Sequence, residues 1–185
     1  PDPFDGYMSK SRGWGATRTT CVFAGWGLIY REGWRGLLIS RKEDIVDKPK
    51  DLNSMFGYID FLISYLQPWQ IPEGYDPRYH RLKLRIKNPA TGSQITGEST
   101  TTKAGRGARA TYAIIDEAAF VPEFITTFGT LSGTTDHRIA LSTESFEVSK
   151  DWYNTWTKYK DNPDKVKQLE VWDNPWFDEY TIAEE

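Results

Sequence analysis

The chain has 185 residues, 38% of them hydrophobic and 15% aromatic, with a formal net charge of -3. That is enough length and apolar content for one folded domain with a real core, and it excludes both a disordered chain and a globally basic nucleic-acid binder. A single cysteine, Cys21, excludes an internal disulfide and a Cys-rich zinc site, and no apolar run approaches the ~20 residues of a membrane span.

In chain order, FDGYMS (4–9) predicts a first strand that runs into the glycine loop SKSRGWGATRTT (9–20). A helix is expected from 16 to about 31, because Cys21, Val22, Gly25, Leu28 and Ile29 recur at helical spacing and Gly33 and Gly36 close it off. GLLIS (36–40) is a short apolar run between breakers, the pattern of a buried strand. Residues 43–66 read mostly as helix, interrupted at Pro49 and ending in the apolar face Phe56, Ile59, Leu62, Ile63 and Leu66. The prolines of QPWQIPEGYDP (67–77) mark a loop.

RLKLRIKNPATGSQITGES then alternates strictly, with Arg81, Lys83, Arg85 and Lys87 on one face and Leu82, Leu84 and Ile86 on the other. The turn chemistry of 88–93 predicts a hairpin returning through 94–97. Its basic face, helped by Arg78 and His80, reads as a solvated sheet face or as a contact to a DNA backbone. A polar loop, TTKAGRGARAT (101–111), feeds the apolar strand YAIIDEAAF, and RIALSTES (138–145) is another buried strand ending in hydroxyls. Strand, helix, strand, helix, hairpin, strand, strand, with polar residues at strand carboxyl ends, predicts an α/β sheet with a ligand at that edge.

The glycine loop fits the phosphate-binding pattern G-x-x-x-x-G-K-[ST], in which backbone N–H groups wrap phosphates, a lysine neutralises them and a hydroxyl binds magnesium. With Gly15 on the second glycine, Thr17 takes the hydroxyl position, Ala16 the lysine position and Lys10 the first position. A lysine at the front of the loop can arch back over the phosphates, since its stem reaches ~6 Å. Residues Lys10, Ser11, Arg12, Gly13, Trp14, Gly15, Ala16, Thr17 and Arg18 are thus the candidate ATP-binding loop. A glycine-rich turn before a helix is also common as plain structure. The acidic pair after the apolar strand decides between the two: Asp116 would hold Mg2+ together with Thr17, and Glu117 would polarise the attacking water.

KSRGWGAT, followed by IIDEAAF and ALSTES, resembles the ATPase domain of the large terminase subunit, the motor that packages DNA into tailed-phage and related viral capsids. The likeness extends over GLLISRKEDIVD, the NPATGSQI turn and VWDNPWFDEY, so it spans nearly the whole chain. It implies an α/β P-loop NTPase of the helicase/RecA-like ASCE type, with a central, mainly parallel sheet flanked by helices. The implied activity is Mg-dependent ATP hydrolysis that drives double-stranded DNA into a procapsid. It also implies a homo-oligomeric ring, a pentamer in the family, working with a portal protein and a small terminase subunit in the host cytoplasm, docked transiently on the procapsid portal.

By the same resemblance Arg12 is the loop arginine that bridges phosphate and acidic site, and Ser142, Thr143 and Glu144 form the motif that couples hydrolysis to movement, with ordinary capping of the next segment as the alternative for that strand end. An arginine in the loop before the acidic strand reaches the neighbouring subunit's site as an arginine finger, Arg106 by preference and Arg109 second. A solvated loop arginine and a DNA contact are the alternatives there. The family's upstream adenine-contacting segment and downstream metal-dependent nuclease are not in these residues, so 1–185 is read as the ATPase domain of something longer. Asp161, Asp164, Asp173 and Asp178 read as surface and linker acids, His137 as a surface histidine, and most tryptophans as core or subunit packing. Two other functions stay open at this stage: a nucleotide-responsive binding module with little turnover, and a helicase-like DNA translocase outside packaging.

Overall fold

The apolar runs of the sequence become the middle of one sheet. A computed structural model describes residues 4–11, 13–100, 109–143 and 150–169. Among them lie strands β1 (Phe4–Lys10), β2 (Arg35–Ser40), β3 (Arg81–Leu82), β4 (Arg85–Lys87), β5 (Gln94–Ser99), β6 (Ala110–Asp116), β7 (Thr135–Thr143) and β8 (Val166–Leu169), in the sheet order β3-β4-β5-β2-β6-β7-β1-β8. From β5 to β8 every pairing is parallel; β3 and β4 add an antiparallel edge. Helices α1 (Ala16–Tyr30), α2 (Glu43–Val46), α3 (Met55–Ser64), α4 (Pro77–His80), α5 (Phe124–Leu131) and α6 (Lys150–Tyr159) connect and cover it.

Strands covered on both faces need apolar residues at successive positions, and β2 shows how they divide. Leu38 packs with α1 and α3 residues such as Leu28 and Phe56, while Leu37 and Ile39 pack with Phe124, Phe128 and Trp152 of α5 and α6. Two cores, one on each side of the sheet, make a three-layer α/β/α domain. On the α1 side the indole of Trp34 is wedged between two glycines. A Cβ at Gly27 would stand 2.5 Å from that ring, and one at Gly36 equally close. Gly27→Ala is therefore expected to destabilise the fold by about 1–3 kcal/mol through overpacking. Gly25→Ala, two residues away with nothing within 4 Å of its Cβ position, should leave stability unchanged or raise it by a few tenths of a kcal/mol. Thermal melts of the two variants check the contrast.

The predicted hairpin is the clearest correction. Its first arm is not one alternating strand: the chain reverses at Lys83 and Leu84, so that Arg81 pairs with Ile86 and Leu82 with Arg85. Leu84 takes a positive φ of 55° there. The cause is a buried carboxylate. Asp47 accepts the Leu84 N–H at 2.6 Å and both terminal nitrogens of Arg81 at 2.6 and 3.0 Å, while Arg81 Nε donates to Asp60 at 2.8 Å. Burial pushes the Asp47 carboxyl up, but the Arg81 fork and the Leu84 amide outweigh it and hold it below the usual range. Arg81 is drawn inward, so the basic face is broken at its first member. Of the tryptophans, Trp34 and Trp152 are buried and Trp14 and Trp156 pack against the two cores, while Trp26 and Trp69 are exposed.

Candidate active site

Because β7 pairs in parallel with both β1 and β6, the carboxyl ends of all three strands lie side by side. Lys10 stands in register with Thr143, and Asp116 with Leu141. The loop strand and the acidic strand are therefore two strand spacings apart, about 10 Å, within reach of the side chains between them.

Two glycines shape the loop. Gly13 and Gly15 have φ of 73° and 83°, left-handed values that any other side chain would resist. Gly15 is the N-cap of α1 and offers no side chain to the first-turn amides, and the first turn holds no acid. Those N–H groups and the positive end of the helix dipole stay available to an anion. Thr17, on that first turn, donates its hydroxyl to Asp116, with both carboxylate oxygens at 3.1 Å. Lys10 Nζ donates to Thr143 Oγ1 at 3.4 Å. Asp116 is only 3% exposed; burial raises its pKa, against the opposing pull of the Lys10 charge and the Thr17 hydroxyl. Beneath it, burial and the Asp116 charge push the Cys21 thiol up to about 12, so this cysteine is no nucleophile.

Glu117 has a left-handed backbone, φ 54° and ψ 38°, a conformation that costs a non-glycine residue about 1–2 kcal/mol. This turn sends its side chain to an ion pair with Arg41, just past the end of β2. Arg41, which the sequence reading missed, also stacks on Phe120 with its guanidinium 5.2 Å from the ring centroid. Its one signal is its place, the first residue after the apolar run GLLIS, but that signal means something only once β2 is known to lie beside β6. Ser142 Oγ accepts the Ala119 N–H at 3.1 Å, which ties the turn after Glu117 to β7.

Buried polar atoms concentrate here as well. Ser11 Oγ, Trp14 Nε1, Ser40 Oγ, Thr100 Oγ1 and Glu117 Oε2 are buried without a hydrogen-bond partner, the last despite its ion pair. Free amides, a buried carboxylate and unpaired hydroxyls thus lie together on one edge, the surroundings of a polar ligand. The donor set of a threonine hydroxyl and a carboxylate suits a hard cation with oxygen ligands such as Mg2+, and no cluster of three His, Cys, Asp or Glu exists among the described residues to suit a softer metal.

Of the other predicted site residues, Arg18 is exposed and lies over the Tyr58 ring, 5.5 Å from its centroid. Ala16 is buried in the core. Arg109 immediately precedes β6 and so sits at the amino-terminal edge of the sheet, the full length of the strand from Asp116. Arg12, Arg106 and Glu144 lie outside the described residues.

With one strand inserted between the phosphate-loop strand and the acidic strand, the fold is that of a P-loop NTPase of the helicase and RecA-like class. Within that class the chain belongs to a particular family: "Terminase large subunit, T4likevirus-type, N-terminal" matches residues 7–182. Solved structures agree on the fold. The large terminase ATPase domain of Thermus phage P74-26 is similar at 20% identity and a TM-score of 0.64, over 92% of this chain and 77% of that one. The HK97 bacteriophage large terminase matches at 17% identity and a TM-score of 0.61, over 88% of this chain and 35% of its own. The large terminase of a thermophilic bacteriophage in complex with ATP-gamma-S matches at 12% identity and a TM-score of 0.63, over 98% of this chain and 43% of its own. The chain therefore spans less than half of the latter two. No curated protein matches it. No helix among the described residues is long and apolar enough to cross a membrane.

Proposed function

We propose that residues 1–185 form the ATPase domain of a phage DNA-packaging motor, hydrolysing ATP to move double-stranded DNA into a procapsid. The observation that carries this reading is the contact between Thr17 and Asp116, with the Lys10 ammonium beside it. In the proposed mechanism the nucleotide's phosphates lie on the open amides of 13–18 and under Lys10, which takes the place of the missing lysine at position 16. Thr17 and Asp116 would hold Mg2+, which when bound neutralises charge on the phosphate oxygens. Glu117 orients the attacking water and accepts its proton, and to do so it leaves Arg41. A neighbouring copy in the ring supplies Arg106, or Arg109, against the transferred phosphoryl group. Ser142, Thr143 and Glu144 pass the change on, and the Ser142 bond to the turn after Glu117 supports that role. The procapsid portal, the small terminase subunit and duplex DNA are the proposed partners.

Asp116→Asn tests the reading. A buried carboxyl with a raised pKa contributes its stability in the protonated form, and that contribution is lost as pH rises through the raised value. At neutral pH the buried carboxyl is thus a cost to folding, kept for binding. The neutral, isosteric asparagine should raise the melting temperature of the nucleotide-free protein by the equivalent of ~1 kcal/mol. The same variant should lose Mg-dependent ATP hydrolysis and the stabilisation that Mg·ATP gives the wild type. Wild-type turnover in Asp116→Asn would sink the assignment.

A further inference from the structure

The opposite, amino-terminal edge of the sheet holds a cavity of about 420 Å3, where β2, β6 and β7 begin. Arg35 and Arg109 line it, with Thr111, Ser132, Thr135 and the carboxylate Asp136. Both arginines are exposed, and neither guanidinium has a carboxylate partner among the described residues. Their charge is therefore not spent inside the fold. Thr111 Oγ1 accepts the Arg35 backbone N–H at 3.3 Å, which leaves the hydroxyl proton to donate outward. Thr135 is only 7% exposed, and its Oγ1 is buried with no hydrogen-bond partner. A buried hydroxyl is costly to leave unpaired, so this wall of the cavity presents a hydroxyl in want of a partner.

From these groups we infer a phosphate-binding site at the amino edge, separate from the nucleotide loop, which gives Arg109 a role other than that of the finger and leaves the finger to Arg106. Two guanidiniums against one carboxylate leave a single net positive charge, the complement of one phosphodiester. Guanidinium forks match the spacing of phosphate oxygens, and hydroxyl donors complete a tetrahedral oxyanion's shell. A carboxylate ligand would use one fork and leave the other arginine and the hydroxyls idle. The phosphate belongs either to a nucleic-acid backbone or to free inorganic phosphate, and the two sources are separable.

The test uses wild type, Arg35→Gln, Arg109→Gln and Thr135→Val, none of them at the nucleotide loop. In one arm, thermal melts follow the exchange of chloride for inorganic phosphate at fixed ionic strength. The phosphate-dependent rise should need about tenfold more phosphate in each arginine variant. Thr135→Val should melt higher than wild type without phosphate yet respond more weakly to it, a pair of opposite signs that a packing role alone does not produce. In the second arm, binding of a labelled 20-base-pair duplex is measured against salt. A backbone source predicts weaker binding in each arginine variant and a log–log salt slope smaller by about one. Changes in both arms place a phosphodiester in the site, and changes in the phosphate arm alone place free phosphate there. Arginine variants that match wild type in both arms overturn the inference.

Discussion

Lys10→Ala is expected to lower ATP turnover by about 10²–10³-fold, the scale on which a charge stabiliser acts in a desolvated site, while the melting temperature barely moves. The reason for placing this charge on Lys10 is geometric. Position 16, where a P-loop ordinarily keeps its lysine, is the first residue of α1 and is 2% exposed inside the core cluster with Cys21, Leu28 and Leu141. A lysine there would bury an ammonium among apolar groups, which is far costlier than leaving it out. At the end of β1 the same charge is half-buried, donates to Thr143 and lies close enough to Asp116 to lower its pKa against the effect of burial. Two measurements separate the readings. Loss of nucleotide affinity and turnover together fits a lysine on the phosphates. Full turnover in Lys10→Ala removes the displaced-lysine idea. The double variant Lys10→Ala/Ala16→Lys should not recover activity, and should lose stability by several kcal/mol, because the restored lysine faces the core.

This site was legible in the sequence to the degree that its chemistry is local. The run YMSKSRGWGAT carries strand, loop and helix start within a dozen residues, and IIDE carries a strand and its acids, so the elements were readable locally, though the loop gained its meaning only beside the acidic pair. What joins them is not local. Thr17 and Asp116 touch because β7, far along the chain, lies between β1 and β6, and only the family's motif order anticipated that. Arg41 shows the limit more plainly: nothing within ten residues of it names Glu117 as its partner. The hairpin failed for the same reason. Its alternation is real, but Asp47, 34 residues upstream, pulls Arg81 and the Leu84 amide to one point and folds the strand in two. Helix α5 was also missed. Phe124, Phe128 and Leu131 recur at helical spacing, but the intervening threonines and glycine weaken the propensity, and it is burial against β7 and α6 that settles the conformation.

Glu117→Gln should reduce hydrolysis by about 10²–10⁴-fold, the contribution of a positioned general base, with nucleotide binding preserved because the loop and the Asp116 carboxylate stay in place. Equal rates for Glu117→Gln and wild type, each measured with portal and duplex DNA present, would refute the catalytic role. The ion pair with Arg41 adds an opposite expectation. In the proposed mechanism Glu117 must leave Arg41 before it can orient the water, so its pairing restrains the reaction. Both side chains are substantially exposed, 40% and 32%, and such a pair is worth no more than about 1 kcal/mol. Arg41→Gln should therefore raise the basal rate by about fivefold at most. In the double variant Arg41→Gln/Glu117→Gln that gain should vanish, because a freed glutamine cannot take the proton of a water. A rise that persists in the double variant would show that Arg41 acts on something other than Glu117. The left-handed backbone at Glu117 bears on the same point: the residue that carries this strain is also the one whose carboxylate pairs with Arg41 beside β2.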